Sequence, residues 1–456
     1  MQSANLPSAD FQSEGDLNIS PRRASWSAEH IDPETRHWLD EDAKYFLHQS
    51  LSTPCLNVLK SCQGATIEDL SGRKLLDFHG NNVHQVGFSH PRVIEAITGQ
   101  INELSFCTRR YTNIPAIQLA KKLAELAPGN LKRVLFAPGG TSAIGMAIKL
   151  ARAATGRFKT ISMWDSFHGA SLDAISVGGE AIFRTGIGPL LPGCEHVPPP
   201  DNHHCPFKCG AACNLSCADY IEYVLDKEGD VAAVVAETVR STPFIPPRDY
   251  WKKIRAACDQ HGALLILDEI PHCLGRTGKM FTCEHYEVVP DLLIIGKGLG
   301  GGIFPLAALI AREDLNGVMA DKALGHYTHE KNPVACASGL AAIEVIESEG
   351  LLENARVMGE YAFGRMLDMM NAHQLIGDVR GLGLLMGMEL VRDSTTNERA
   401  TDEAEQVMYR ALSKGLNFKV TMGNILTLTP ALTITRPEMD RAIDILSESL
   451  TEVERR

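Results

Sequence analysis

The stretch DLLIIGKGLGGG, residues 291–302, sets one lysine among five glycines at the end of an apolar run. That lysine has two chemical readings. Gly296, Gly298 and Gly301 fit G-x-G-x-x-G, a spacing that lets backbone approach a dinucleotide pyrophosphate. Alternatively, a strand delivers Lys297 into a cavity, where its amine can form a Schiff base with an aldehyde and later act as a base. A solvated lysine in a glycine turn is the bland alternative. The dinucleotide reading is weakened by position: the glycines come late in the series of strands. No strand ending in an acid follows about 20 residues on, as ribose binding would require.

Two further segments place reactive groups at strand ends. In LLILDE, Asp268 closes a run that reads as a buried strand. A carboxylate there is costly without a cation. A pyridinium nitrogen is such a cation, and it needs an anion to stay protonated. A helix N-cap, or an ion pair with Arg276, would also account for Asp268. In FAPGGTS, a strand runs through Gly139 and Gly140 into a helix. The N–H groups of Gly140, Thr141 and Ser142 then suit one phosphate. The segment lacks the G-x-x-x-x-G-K-[ST] of a nucleotide loop, and an ordinary strand-to-helix turn would look alike. Together, and in chain order, the three segments offer a phosphate cup, a partner for a ring nitrogen and a Schiff-base lysine. In open parallel sheets ligands bind outside the carboxyl ends of strands.

The elements that must position them are legible from residue 130 onward. RVLFAP (133–138), KTISMW (159–164), VAAVVAET (231–238), ALLILDE (263–269), DLLIIG (291–296) and LAALIA (306–311) are apolar nearly throughout. Such runs fit a mainly parallel sheet covered on both faces by helices, an α/β fold. TSAIGMAIKLARAATG reads as a helix ending at Gly156. After about residue 330, NPVACASGLAAIEVIESEG and MGEYAFGRMLDMMNAH read as helices, and VRGLGLLMGMELV and NILTLTPALTIT as strands, of a smaller α+β unit. The expected division is 1–60 as an arm and part of the small domain, 61–330 as the large domain, and 331–456 as the small C-terminal domain.

Composition excludes several classes. The 456 residues are 44% hydrophobic and 22% charged, ordinary for a soluble globular protein, and the net charge of −12 argues against a general nucleic-acid partner. No apolar run approaches the ~20 residues that span a bilayer. The first twenty residues lack the basic start and apolar core of a signal peptide. They read as a polar, poorly ordered arm, and the twelve cysteines then read as reduced thiols in a cytoplasmic protein.

FAPGGTSAIGMAIKLAR, SFHGAS, LDEIPHCLGRTG, IIGKGLGGG and THEKNPVACASGLAAIEV, taken in order, resemble the motifs of class-III aminotransferases over about residues 40–450. These are fold-type-I pyridoxal-phosphate enzymes. The resemblance implies that Lys297 is the Schiff-base lysine and Asp268 the pyridinium partner. It implies that Gly140, Thr141 and Ser142 hold phosphate, and that Phe167 and Ile270 cover the two ring faces, with His168 and Glu237 among the cofactor contacts. Thr328 would reach the phosphate of a neighbouring subunit, making a homodimer with shared sites.

The departures from that pattern bear on the reaction. Ile144 and Gly145 stand where the family carries polar groups after the cup, and Pro271 stands where a Gln often does. Members that transaminate with glutamate commonly carry Arg where Thr427 stands, to clamp an α-carboxylate. Without it, Glu237 lacks its usual partner and the keto-acid half reaction is in doubt. An elimination needs one substrate only, and the family contains lyases acting on small amines with a phosphorus or hydroxyl substituent. The expectation is therefore a lyase removing water and then ammonia from a small β-hydroxy amino-phosphonate. An ω-amine:keto-acid aminotransferase and a phospho-lyase on a phosphate ester are the alternatives. For the phosphonate, Arg109 and Arg240 are the leading candidates, since guanidinium groups fit its oxygens. For the proton to the leaving hydroxyl, His84, His272 and Lys297 are the candidates. HHCPFKCGAACNLSC (203–217) offers two His and four Cys to zinc, but its C-x3-C spacing follows helical pitch and lacks the C-x2-C of zinc ribbons; no metal is expected.

Overall fold

A computed structural model describes residues 20–201, 203–209 and 213–455. Of the expected polar arm, residues 1–20, all but Ser20 lies outside them. At the centre is a seven-stranded sheet in the order Leu131–Ala137, Ala307–Arg312, Leu292–Ile295, Leu264–Asp268, Val231–Glu237, Lys159–Met163, Cys194–Val197. Six of these strands point the same way, and Ala307–Arg312 alone is antiparallel to both its neighbours. Every residue of Val231–Glu237, Leu264–Asp268 and Leu292–Ile295 is buried, as strands covered on both faces must be. Their alternation splits the interior into two cores. Val235, Ile266 and Ile294 pack on one side with the helix Gly140–Thr155. Val234, Leu265 and Leu293 pack on the other, with Trp251 and Ile254 of the helix Tyr250–His261.

The helix Gly140–Thr155 ends where the sequence placed its stop: Gly156 takes the left-handed conformation at φ 68° and its N–H bonds back to the Arg152 carbonyl. Helices at Pro333–Ser348 and Leu351–Ala372 also stand where expected. VRGLGLLMGMELV is two strands, Ile376–Leu382 and Leu385–Asp393, folded into a hairpin. NILTLTPALTIT is a strand only over Ile425–Leu428; Pro430 has no N–H for the ladder, and the chain turns away there.

N-terminal strands pair with a strand of the C-terminal part of the chain. Leu59–Gln63, Thr66–Asp69 and Lys74–Asp77 form a sheet that takes Leu416–Asn417 as its parallel fourth strand. The helix Pro21–His30 lies along Thr401–Lys414, where buried Trp26 donates its indole N–H to Ser413 Oγ at 2.9 Å. Among the described residues no helix is long and apolar enough to cross a membrane.

Candidate active site

Parallel register brings the chemistry to one rim. Glu237 lies directly opposite Asp268, and Asp268 opposite Ile294, at the carboxyl ends of adjacent strands. Lys297 follows three residues after Ile294, in a four-residue 3-10 turn. That turn is not the long helix on which a dinucleotide pyrophosphate rests, so the G-x-G-x-x-G spacing is coincidental. Lys297 has φ 47°, unusual for a residue with a Cβ. Such backbone persists only when the surroundings enforce it, and it clusters at functional sites.

Two cavities meet at this rim. One, of about 480 Å³, is lined by Gly140, Thr141, Phe167, Asp268, Ile270 and Lys297. The other, of about 730 Å³, opens toward the C-terminal unit. Phe167, Pro271 and Lys297 line both.

The first cavity fits pyridoxal phosphate. At its floor the helix Gly140–Thr155 starts with no side-chain cap on its N-terminus, so its first N–H groups keep their capacity for an anion. Thr141 Oγ1 bonds to Ser171, whose N–H donates back to Thr141 Oγ1 at 3.3 Å. Ser142 sits half-buried in the same first turn. Space for a flat ring is preserved by glycine. A Cβ on Gly140 would stand 2.5 Å from Ile270 Cδ1, and one on Gly169, at φ 128°, 2.5 Å from Thr141 Cβ. The missing polar group at 145 has a spatial substitute: the Asp173 carboxylate fills the place a Gly145 side chain would need.

Asp268 is 1% exposed and is held on both oxygens. His168 Nδ1 bonds Oδ2 at 2.8 Å, and the Ile270 N–H donates to Oδ1 at 3.0 Å. Ser162 Oγ lies 3.4 Å from His168 Nε2, continuing the chain of contacts. Arg276 plays no part in it: its guanidinium is fully buried elsewhere, against the carbonyls of Leu384 and Pro430. Asp268 is thus aimed by neutral and ring donors, with an edge facing the cavity.

Glu237 does have a partner. Its Oε1 accepts the Phe167 N–H at 3.1 Å and lies 3.9 Å from Arg240 Nε. Burial pushes its carboxyl up, against the pull of Arg240 and His168. Arg240 Nη2 also faces Glu180 Oε2 at 3.5 Å, and Nη1 points to Met422 Sδ at 3.0 Å. The guanidinium expected to hold phosphonate therefore sits between two buried carboxylates.

Besides Ser142, four sequence candidates line neither cavity. His84 is 1% exposed, stacked on Phe88, with Nε2 3.4 Å from the Asp77 carbonyl. His272 is fully buried and bonded to Thr282 Oγ1 at 3.0 Å. Burial lowers both to about 3, helped at His84 by Arg276, so neither carries a proton to give at neutral pH. Arg109 is exposed, bonding His326 and, at 3.1 Å, the Tyr327 carbonyl. That tethers it to the segment bearing Thr328, itself exposed.

Residues that sequence reasoning passed over line the second cavity: Arg23, His79, Asn82 and Lys419. Asn82 is 2% exposed, at φ 57°, and its Oδ1 has no hydrogen-bond partner. The paired asparagines of HGNN were the one available signal. Thr427, where a carboxylate-binding Arg would stand, is fully buried and bonded to Thr421 Oγ1 at 2.8 Å. In the Cys-rich segment Cys205, Cys209 and Cys213 lie outside helices and strands, and Cys217 is on the helix Ser216–Glu228. Pro206 cannot sit in a helix interior, which defeats the helical spacing. Its histidines dock on the C-terminal sheet: His203 on Asp378 at 3.1 Å and His204 on Glu389 at 2.7 Å. Among the described residues, no group of three His, Cys, Asp or Glu is placed to hold a metal ion.

The comparisons agree with this geometry. Residues 48–450 match the family Aminotransferase class-III. The (R)-1-hydroxy-2-aminoethylphosphonate ammonia-lyase of Vibrio splendidus is 48% identical over 98% of this chain and 97% of its own. The leucine/methionine racemase of Thermococcus litoralis is 37% identical over 87% and 91%. Among solved structures, a transaminase from the marine bacterium Virgibacillus superposes with a TM-score of 0.86 at 27% identity, over 92% of this chain and 99% of that one. With a strand-end lysine, a buried aspartate and an uncapped helix meeting in one cavity, the chain belongs to the class-III aminotransferases and is a pyridoxal-phosphate enzyme of fold type I.

Proposed function

We propose that this chain is a pyridoxal-phosphate-dependent ammonia-lyase acting on (R)-1-hydroxy-2-aminoethylphosphonate. It would yield phosphonoacetaldehyde and ammonia. The likeness to the Vibrio splendidus lyase along nearly the whole chain supports this reading. The observation that carries it is the site's treatment of an acceptor. Thr427 and Thr421 close the position for an α-carboxylate clamp, and Arg240 is engaged by Glu237 and Glu180. A second substrate of keto-acid type has no bidentate cation there.

When bound, the cofactor supplies an electron sink that accepts charge as a proton leaves the carbon bearing nitrogen. Gly140, Thr141 and Ser142 hold its phosphate by N–H groups and hydroxyls. Asp268, oriented by His168, keeps the ring nitrogen protonated, while Phe167 and Ile270 fix the ring plane. Glu237 holds the Phe167 backbone and is itself held by Arg240. Lys297 is the one ionisable side chain, among the described residues, lining both cavities. It carries the cofactor, then takes the proton from carbon and returns it to the departing oxygen. His79, half-buried and lining the second cavity, would share that delivery. Water lost in the elimination is regained when the carbon–nitrogen bond is hydrolysed, so aldehyde and ammonia form in equal amounts.

A second copy of the chain completes each site. Arg109 anchors the segment bearing Thr328, and together they would enter the neighbouring subunit's cofactor cavity. The enzyme would work in the cytoplasm, where its cysteines, all unpaired here, stay reduced. Holoenzyme and substrate with no keto acid test the reading: equal ammonia and phosphonoacetaldehyde are expected. A requirement for a keto acid would refute it.

A further inference from the structure

Asp173 stands behind the phosphate cup, on the short helix Leu172–Val177 that follows Ser171. It belongs to the segment facing the helix Gly140–Thr155, yet it occupies that helix's space: a Cβ built on Gly145 would overlap Asp173 Oδ2. Gly145 is one of the positions where class-III aminotransferases carry a polar group. That group has in effect changed elements, from the helix to the segment opposite.

The other carboxylate oxygen starts a chain of contacts into the cup. Asp173 Oδ1 accepts the Ala174 N–H at 2.9 Å and also bonds the Ser171 hydroxyl. A carboxylate has no proton to give, so Ser171 is the donor. Ser171 Oγ then keeps only lone pairs, and in its bond with Thr141 the Thr141 hydroxyl donates. The Ser171 N–H donates in turn to Thr141 Oγ1 at 3.3 Å. Thr141 is thus tied to the facing segment through both its proton and its oxygen. It is also the second residue of the helix Gly140–Thr155. Left free, a threonine oxygen there can turn back onto the leading N–H groups and compete with a phosphate for them. Tied to Ser171 it does not, and the helix start carries no side-chain cap.

We propose that Asp173 is a positioning residue for cofactor binding: through Ser171 it holds the Thr141 side chain off the helix start and keeps those N–H groups open to the cofactor's phosphate. This rests on Gly140, Thr141 and Ser142 holding the phosphate, and not on which amine is the substrate. The role is one of geometry rather than charge, since an anion behind the cup would itself repel phosphate. An uncharged acceptor of the same shape should therefore serve as well.

Titration of the full-length enzyme, freed of cofactor by dialysis and followed by absorbance, tests this with no substrate present. The probes are pyridoxal phosphate and pyridoxal, which lacks the phosphate. Asp173→Ala should weaken pyridoxal phosphate by about tenfold, the share of one or two hydrogen bonds, and leave pyridoxal within about twofold. Ser171→Ala cuts the same chain one link on and should do the same. Asp173→Asn keeps an acceptor for Ser171 and should stay within about threefold of the unaltered enzyme for both probes. Gly145→Asp alone crowds Asp173 and should weaken pyridoxal phosphate. Added to Asp173→Ala, it returns a carboxylate from the helix side and should recover at least about threefold; a double variant no tighter than Asp173→Ala contradicts the change of elements. Pyridoxal phosphate affinity unchanged in both Asp173→Ala and Ser171→Ala, or an equal loss for both probes, overturns the proposal. Equal affinity of the unaltered enzyme for the two probes would overturn the cup itself, whereas the lyase reading is judged separately, by ammonia release.

Discussion

Arg240→Met separates a structural guanidinium from a substrate-binding one. Arg240 lies 3.5 Å from Glu180 and 3.9 Å from Glu237, which are 1% and 7% exposed. At an effective dielectric near 20 each contact is worth about 4 kcal/mol before desolvation. Without the guanidinium the two carboxylates can escape by taking up protons. From an ordinary value of 4.5, holding one carboxyl neutral at pH 7 costs about 3.4 kcal/mol. The loss should therefore be about 3–5 kcal/mol, the usual penalty for breaking a buried pair from one side. The sign with pH follows. In the variant the Glu237 carboxyl, pushed up by burial, loses the opposing pull of Arg240 and lies further above its unfolded value, so the folded state binds more protons and stability falls as pH rises from about 5 to 7. Glu180→Gln added to Arg240→Met should restore roughly half the loss. Urea unfolding of the holoenzyme at pH 5 and pH 7, followed by tryptophan fluorescence, measures all three forms. Wild-type stability in Arg240→Met, with methylphosphonate affinity lost a hundredfold, would refute this and return the arginine to the substrate.

Three further outcomes follow from the geometry. Gly169→Ala forces a Cβ to 2.5 Å from Thr141 Cβ at φ 128°, about 1–3 kcal/mol of strain; cofactor titration by absorbance should show at least about tenfold weaker binding, and unchanged binding contradicts the cup. Asp268→Asn keeps the acceptor for the Ile270 N–H but removes the charge facing His168; kcat should fall about a hundredfold or more, with cofactor still bound. Burial alone would raise the Glu389 carboxyl, yet His204 and Arg380 hold it at about 2. Its stabilisation, at most about 3 kcal/mol, is present above about pH 4.5 and lost as pH falls toward 2. His204→Ala should move acid unfolding to higher pH, and an unmoved midpoint would show the docking to be idle.

What the sequence disclosed and withheld has physical reasons. Val231–Glu237, Leu264–Asp268 and Leu292–Ile295 were legible because doubly covered strands are apolar at every position. The start of the helix at Gly140, its stop at Gly156 and the strand-end placement of Asp268 and Lys297 followed from the same pattern. Strand direction is not written in apolar periodicity, so the antiparallel Ala307–Arg312 was not. The vacancy at Thr427 could be read; the Thr421–Thr427 hydrogen bond that fills it could not, because it follows only from the register of two short strands. Arg240 looked like an anion ligand because Glu180 adjoins it only in three dimensions. His84 and His272 looked like acids because sequence does not reveal that burial holds them neutral.

The account stands or falls on turnover without an acceptor. Holoenzyme at micromolar concentration, given a large excess of (R)-1-hydroxy-2-aminoethylphosphonate and no keto acid, should release many equivalents of ammonia per site while its cofactor absorbance returns to the starting form. Release of no ammonia, with the cofactor left in its amine form after a single equivalent of substrate, would contradict it.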